Sequence, residues 1–465
     1  MVTLFGAGAC KTLYTPSGGK PTLQTGSGTG APSGAPGGDD TVTAAGNGAP
    51  SGGLAGVFGG DTTPTPQASP TATATPTASG TGTGASPSGS PTPSGTLTPT
   101  PVPVHTLEPR GPQGPQGPDV SLSDAALHVD GNVIRRSDKS RFIVKGSNIF
   151  GLPHYGYPNP STVDQGLRFE TDTTYAKRDQ IAADMQSLGL NAVRLQIGSD
   201  TYKRQLYMSK DQYVQRVYDI VQAFKARGIY TMVSDHDYTG STSKLASSYQ
   251  NSFELFQAII NKVGADEPYL IFNPYNEPSN SNDWSSWLTP NRETLRWLRQ
   301  TAGFHGVVML DTTGWSWNFS STSAQSLMDF DRTLHSDGKS NIVFSIHRYP
   351  NDNTSWTGDE RSSYINNVLQ YANRYPMLAG EHGWSLGGVG WDSSKSDGGT
   401  AWQRTTWLSQ LLDYLATTAV PNGWNGVFGW AWHWDFNSMT SDDRLSLNQH
   451  GQIFYDHFYS KVGQL

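Results

Sequence analysis

The chain has 465 residues, a formal net charge of −7 and a pI near 5.9, a balance that leaves no basic footprint for nucleic acid. No run approaches the roughly 18 apolar residues that a membrane-spanning helix needs. Cys10 is the only cysteine, so neither a disulfide framework nor a thiolate metal site is available.

Residues 1–118 are almost entirely Gly, Pro, Ser, Thr and Ala, with tracts such as Thr62-Thr-Pro-Thr-Pro66 and Ser88-Gly-Ser-Pro-Thr-Pro93. They hold too few apolar side chains to offset the entropy of ordering and read as a disordered, extended linker. Ser/Thr/Pro-rich tracts of this kind are typical of extracellular stalks, so an extracellular protein is expected. The first ten residues nevertheless lack the basic and apolar regions of a signal peptide, and we read the start as truncated or misplaced. A binding module or wall anchor is the partner such a linker implies at its far end. Residues 119–465 are enough for one large domain, expected to be a monomer.

The domain opens with alternating residues around Asp130-Gly131-Asn132, a hairpin signal read as a small lid on one end of a barrel. Phe142 to Ile149 is the first buried strand. A helix over 176–189 places Ile181, Met185 and Leu188 on one face and stops at Gly189. Asn191 to Ile197 is the second strand. Ser209 is a candidate cap for a helix carrying Val214, Val217, Val221 and Phe224, which ends at Gly228. Ile229 to Asp235 makes strand three, Phe253 to Val263 a helix, and Leu270-Ile-Phe-Asn-Pro-Tyr-Asn-Glu-Pro278 strand four with its exit. Thr289-Pro290 reads as a helix start. Val307 to Leu310, Ile342 to Ile346, Pro376 to Ala379 and Gly426 to Trp430 supply strands five to eight, with helices near 321–333, 360–374 and 402–418 between them.

Eight strands alternating with helices predict a parallel (β/α)₈ TIM barrel with a short N-terminal β-hairpin. A doubly wound open sheet is the competing architecture, but Gly146-Ser-Asn-Ile-Phe-Gly151 does not match its glycine-rich first turn. In a barrel, function collects where strands end. Those ends carry Asn148, Arg194, His236, Asn276 with Glu277, His347 with Tyr349, Glu381, and Trp430 with Trp432.

Each has a plain structural explanation, as an ion-pair residue, a satisfied buried histidine or core filling. Asp235-His236-Asp237 suggests metal ligands, yet neighbours on a strand point to opposite faces, so no metal site and no cofactor are expected. Trp430, Trp432 and Trp434 share a face, and for Trp432 and Trp434 core packing competes evenly with substrate contact. Two carboxylates on strand ends, Glu277 and Glu381, suit glycoside hydrolysis, where one protonates the leaving oxygen and the other attacks or supports the anomeric carbon. The acid must stay protonated near neutral pH, through burial or the other carboxylate's charge.

Asn191-Ala-Val-Arg194, His236, Asn276-Glu277-Pro278, His347-Arg-Tyr349, Glu381 and the strand-eight tryptophan together resemble glycoside hydrolase family 5, over residues 122–462. The resemblance implies Glu277 as general acid/base and Glu381 as nucleophile. It implies that Asn276 bonds the sugar's 2-hydroxyl and that Arg194 and Tyr349 steer Glu381. His236 and His347 would line the same subsite, with Trp430 its floor and Trp432 the second choice. The clan is retaining, which predicts carboxyl groups about 5 Å apart. Gly380-Glu-His-Gly383 departs from the family's frequent Gly-Glu-Phe-Gly. His236-Asp-Tyr-Thr-Gly240 and Asn341 to His347 look more like the bacterial β-mannanase branch. An endo-β-1,4-mannanase is therefore the first expectation and an endo-β-1,4-glucanase the second. A non-catalytic carbohydrate-binding pseudoenzyme and a surface adhesin are the readings of another class.

Overall fold

The computed structural model describes residues 125–154, 165–237, 245–279, 283–349, 358–383, 401–433, 438–441 and 443–463. The linker expected over 1–118, Trp434 and residues 238–240 lie outside them. Strands β1 (Leu127–Asp130) and β2 (Val133–Arg136) form an antiparallel hairpin turned at Gly131, whose φ of 63° suits glycine.

Eight further strands follow: β3 (Val144–Ile149), β4 (Ala192–Ile197), β5 (Tyr230–Asp235), β6 (Leu270–Asn273), β7 (Val308–Asp311), β8 (Ile342–Arg348), β9 (Met377–His382) and β10 (Gly426–Gly429). They close in chain order, β10 pairing with both β9 and β3, and every pair is parallel. Parallel neighbours require a crossover, and helices supply it in each interval. The helix Lys210–Lys225 shows why the local sequence suffices. Ser209 and Gln212 form a reciprocal capping box, Val214, Val217, Ile220, Val221 and Phe224 bury one face, and Gly228 leaves at φ 69°.

Thr289-Pro290 is not a helix start. The helix spans Trp284–Arg296 with Pro290 inside it, because Asp283 caps the backbone N–H of Ser286 and buried Trp287 anchors the first turns through its indole N–H to the carbonyl of Asp311. A closer cap with a fixed side chain overrides the proline preference.

Alternation along the strands sorts the apolar residues into two cores. Val193, Leu195, Ile197, Val233, Phe272 and Leu310 face the helical shell. Val144, Ala192, Met232, Ile271, Met309, Val343, Leu378 and Phe428 fill the barrel's lower interior together with Leu127, Val129 and Ile134 of the hairpin. The hairpin therefore seals the N-terminal end, pinned where Val129 N–H donates to Asn341 Oδ1 and Ile134 N–H to Asn425 Oδ1, each at 2.9 Å. Beside it lies a buried ion pair, Arg299 with Asp331 at 3.1 Å. Asp331 also accepts the Asn341 N–H at 2.7 Å, tying the β7–β8 base to the lid. With that end closed, polar side chains collect at the other.

Candidate active site

Continuing the inward-facing register upward from the apolar layers gives Asn148, Arg194, Asn273, Asp311 and His347, all buried. Arg194 is the hub. Its guanidinium donates to Glu381 Oε1 at 2.6 Å, Asn276 Oδ1 at 2.6 Å, Asn148 Oδ1 at 3.0 Å and Asn273 Oδ1 at 2.7 Å, and lies 3.3 Å from Asp311 Oδ2. A buried arginine so fully paired is fixed in orientation, as its planar fork allows.

Glu381 reaches this hub through an irregularity. Ala379 pairs with Ile346, but the next partner of β8, His347, meets Glu381 and not Gly380; the β10 pairing also shifts here. Leu378 faces the interior core and Ala379 the helical shell, so strict alternation would turn Glu381 outward. The bulge at Gly380 returns it to the barrel interior. Only glycine fits, since a Cβ there would stand 2.2 Å from Ser345 Oγ and 2.8 Å from His347 Nε2. Glu381 then accepts the Tyr349 hydroxyl at 2.8 Å on its other oxygen.

Glu277 leaves β6 with φ 49°, a left-handed conformation that costs a non-glycine residue of order 1–3 kcal/mol. It is held there by donating its N–H to Asp311 Oδ2 at 3.0 Å. Its carboxyl is hydrogen-bonded to His347 Nδ1 at 2.8 Å, and His347 Nε2 lies 3.4 Å from Asp311 Oδ2 without hydrogen-bond alignment. The Glu277 side chain is 15% exposed against 4% for Glu381, which makes it the acid that opens to the cleft. One carboxylate oxygen each of Glu277 and Glu381 and one ring nitrogen of His347 lie within 4.8 Å of one another, so the two carboxyl groups face each other.

Burial, reinforced by Asp311, pushes the Glu277 carboxyl up to about 8 against the pull of Arg194. Burial also raises Glu381, to about 7, with His347 and Arg194 opposing and Glu277 adding to the rise. With two direct donors on Glu381 and none of full charge on Glu277, Glu381 is the member that ionises first. Burial holds His236 well below, and His347 below, the ordinary histidine range, so both rings are neutral at neutral pH. The same three side chains could share a cation among the described residues, but Arg194 already supplies positive charge to Glu381 and the raised Glu277 disfavours a second carboxylate ligand.

On one flank stand aromatic rings. Trp430 stacks near His236 at 6.2 Å and meets Phe150 edge-on at 5.5 Å, with His154 5.4 Å from His236. Trp432 is not part of that wall. It is 1% exposed, belongs to the helical-shell core and donates its indole N–H to the carbonyl of Arg444 at 2.9 Å, so burial removes it from the cleft. Asp235 and Asp237 likewise hold backbone. Asp235 accepts from Ser199 and Ser252, and Asp237 from the N–H groups of Asp200 and Thr201. His382 is buried against Tyr364, ring centroids 6.4 Å apart, facing away from the cleft.

Asn273 and Asp311 escape a reading confined to strand-end residues with recognised chemistry. Asn273 lies two positions beyond Ile271 in the inward register, and Asp311 directly follows the apolar run of the fifth strand; a polar residue continuing an inward-facing series was the available signal.

A closed parallel barrel with two buried, facing carboxylates and an aromatic flank at its C-terminal mouth defines the class of barrel glycoside hydrolases. The family model described as Cellulase (glycosyl hydrolase family 5) matches residues 134–435, and the chain belongs to that family. It is 28% identical over 268 residues to the mannan endo-1,4-beta-mannosidase of Cellvibrio japonicus (strain Ueda107), covering 56% of this chain and 52% of that protein. It is 27% identical over 210 residues to the beta-mannanase/endoglucanase A of Caldicellulosiruptor saccharolyticus, covering 44% of this chain and 14% of that one. The chain thus spans about half the length of the first relative and far less of the second. In three dimensions it is similar to the catalytic domain of a mannanase from Streptomyces sp. SirexAA-E, with a TM-score of 0.52 at 20% identity over 77% of this chain and 99% of that one, a likeness of fold.

Proposed function

We propose that this protein is a retaining endo-β-1,4-mannanase. The observation that carries the chemistry is the facing pair, Glu277 raised to about 8 beside Glu381 bonded by Arg194 and Tyr349. Glu381, ionised, attacks the anomeric carbon. The proton of Glu277 passes to the glycosidic oxygen as that bond breaks, leaving a covalent glycosyl-enzyme. Esterification removes the charge of Glu381, so Glu277 loses a repelling neighbour and stays ionised. It then takes a proton from water as that water's oxygen attacks the anomeric carbon and frees Glu381. Asn276, fixed by Arg194 at 2.6 Å, is positioned to bond the sugar's 2-hydroxyl, and Trp430 to stack on its C–H face.

Mannan is the substrate favoured by the relatives: three carry mannanase activity in their names, one of them together with endoglucanase, and a fourth is named an endoglucanase alone. Initial rates on mannan, carboxymethylcellulose and xylan test the choice. Mannan should be preferred, and a preference for the cellulose derivative would replace this assignment by endoglucanase. NMR of the first product should show retained anomeric configuration. Among the described residues no helix is long and apolar enough to cross a membrane. The Ser/Thr/Pro-rich stretch supports an extracellular enzyme tethered to a further module.

A further inference from the structure

The exit of β7 grips the loop of Glu277 at two points. Glu277 donates its N–H to Asp311 Oδ2 at 3.0 Å, and the carbonyl of the next residue, Pro278, accepts the N–H of Trp315 at 2.9 Å. Gly314, Trp315 and Ser316 have φ of 62°, 60° and 60°, so the chain after Asp311 turns sharply to make the second contact. The backbone of Asp311 is itself fixed. β7 pairs it with Ser345 of β8, and its carbonyl accepts the Trp287 indole N–H at 2.8 Å.

The Asp311 side chain is fully buried. Its Oδ1 accepts from Asn273 Nδ2 at 3.2 Å, while Arg194 Nη2 lies 3.3 Å and His347 Nε2 3.4 Å from Oδ2. Around the Glu277 carboxyl stand His347, Arg194, Glu381 and Tyr349. Arg194 makes its shortest contacts with Glu381 and Asn276, 2.6 Å each, so the one cation of the cluster leans toward the nucleophile. That leaves part of the Asp311 charge to act on Glu277, and a carboxylate beside a second carboxyl opposes its ionisation. Burial raises both glutamates; after it, Asp311 is the strongest influence on Glu277 and among the weakest on Glu381.

We propose that Asp311 is the positioning residue of the acid/base: its carboxylate clamps the left-handed backbone of Glu277, and its charge serves both halves of the reaction. The role rests on the acid/base reading of Glu277 above. In the first half, the charge keeps the proton on Glu277 until the glycosidic oxygen takes it as the bond to the anomeric carbon breaks. In the second, Glu277 takes a proton from water as the water oxygen bonds that carbon and the bond to Glu381 breaks. A fixed negative charge strengthens Glu277 as that base, which a hydrogen-bond donor in the same place would weaken.

Three substitutions in the full-length protein separate charge from clamp, each with a thermal melt to establish folding. Asp311→Asn keeps an oxygen for the Glu277 N–H and removes the charge. Asp311→Ser is a smaller neutral acceptor, made because the Asn amide crowds Asn273 Nδ2. Asp311→Glu keeps the charge and displaces the clamp. In profiles of kcat/KM against pH on mannohexaose, the basic limb of the neutral variants should move down by about one pH unit. For Asp311→Glu the limb should stay while kcat falls. On an aryl glycoside whose leaving group needs no protonation, breakdown of the glycosyl-enzyme limits turnover, and kcat of the neutral variants should fall about threefold as the base weakens. A basic limb that stays in folded, active neutral variants overturns the role of Asp311 and leaves Glu277 as the acid. A limb that moves equally in Asp311→Glu assigns the effect to geometry and overturns the role of the charge. Unchanged mannan hydrolysis by Glu277→Gln overturns the acid/base reading itself.

Discussion

Replacing Tyr349 by Phe removes one hydroxyl and leaves the ring. In the structure that hydroxyl donates to Glu381 Oε2 at 2.8 Å, with both groups buried. A hydrogen bond to a charged group contributes about 1.5–3 kcal/mol. At about 1.4 kcal/mol per pKa unit, its loss lifts Glu381 by about one to two units. The direction follows from what the bond stabilises: the donor favours the ionised carboxylate, so without it the proton is held more tightly. The proposed mechanism needs Glu381 ionised and Glu277 protonated, which makes Glu381 the acid limb of the pH profile and Glu277 the basic limb. With Glu381 near 7 and Glu277 near 8 in the native protein, the shifted acid limb crosses the basic one. At pH 6, where each unit is a factor of ten, kcat/KM should drop about 10- to 100-fold, and the optimum should move up while its height falls. The profile of kcat/KM against pH on mannohexaose measures this, with a thermal melt as the control for folding. A uniform loss at all pH values, with the acid limb in place, would mean that Tyr349 only positions Glu381 and does not set its ionisation.

Glu277→Gln keeps the shape of the acid but cannot give up a proton; hydrolysis of mannan should fall at least about a thousandfold, and far less for an aryl glycoside whose leaving group needs no protonation. Equal losses on both substrates would remove Glu277 from the acid role. Gly380→Ala puts a methyl group against Ser345 and His347, so kcat should fall about tenfold or more as the bulge that aims Glu381 is displaced. Unchanged kcat in a folded variant would show that the bulge is dispensable. At the barrel base, Arg299→Met strands the buried Asp331 carboxylate and should destabilise by about 3–5 kcal/mol in urea titrations at neutral pH. Burial alone would raise Asp331, but His335, Arg299 and the Asn341 N–H outweigh it and hold the group at about 2. That depressed value contributes stability above the ordinary carboxyl range of about 4, lost as pH falls through about 2. The variant's deficit should therefore be largest at neutral pH and shrink on acidification; a deficit independent of pH would assign the cost to packing.

The sequence by itself determined the barrel, because its information is local. Apolar runs bounded by turn residues mark all eight strands, and Ser209, Gly189 and Gly228 mark helix ends, since capping and backbone freedom are decided by a few adjacent residues. The strand-end positions of Arg194, His236, Asn276, Glu277, His347, Tyr349 and Glu381 were legible for the same reason. What the sequence could not decide is which way a side chain points once regular alternation breaks. Glu381 faces the interior only because Gly380 is a bulge, a property of strand pairing between residues far apart in the chain. Trp430 and Trp432 have the same spacing from their neighbours and the same chemistry, yet one borders the cleft and the other is sealed by the carbonyl of Arg444. Asn273 and Asp311 gain their importance from Arg194 and Glu277, which the closed barrel brings to within hydrogen-bonding distance. Pairing, burial and charge are set by the three-dimensional neighbourhood, and it is there that two similar carboxyls, Glu277 and Glu381, acquire different surroundings.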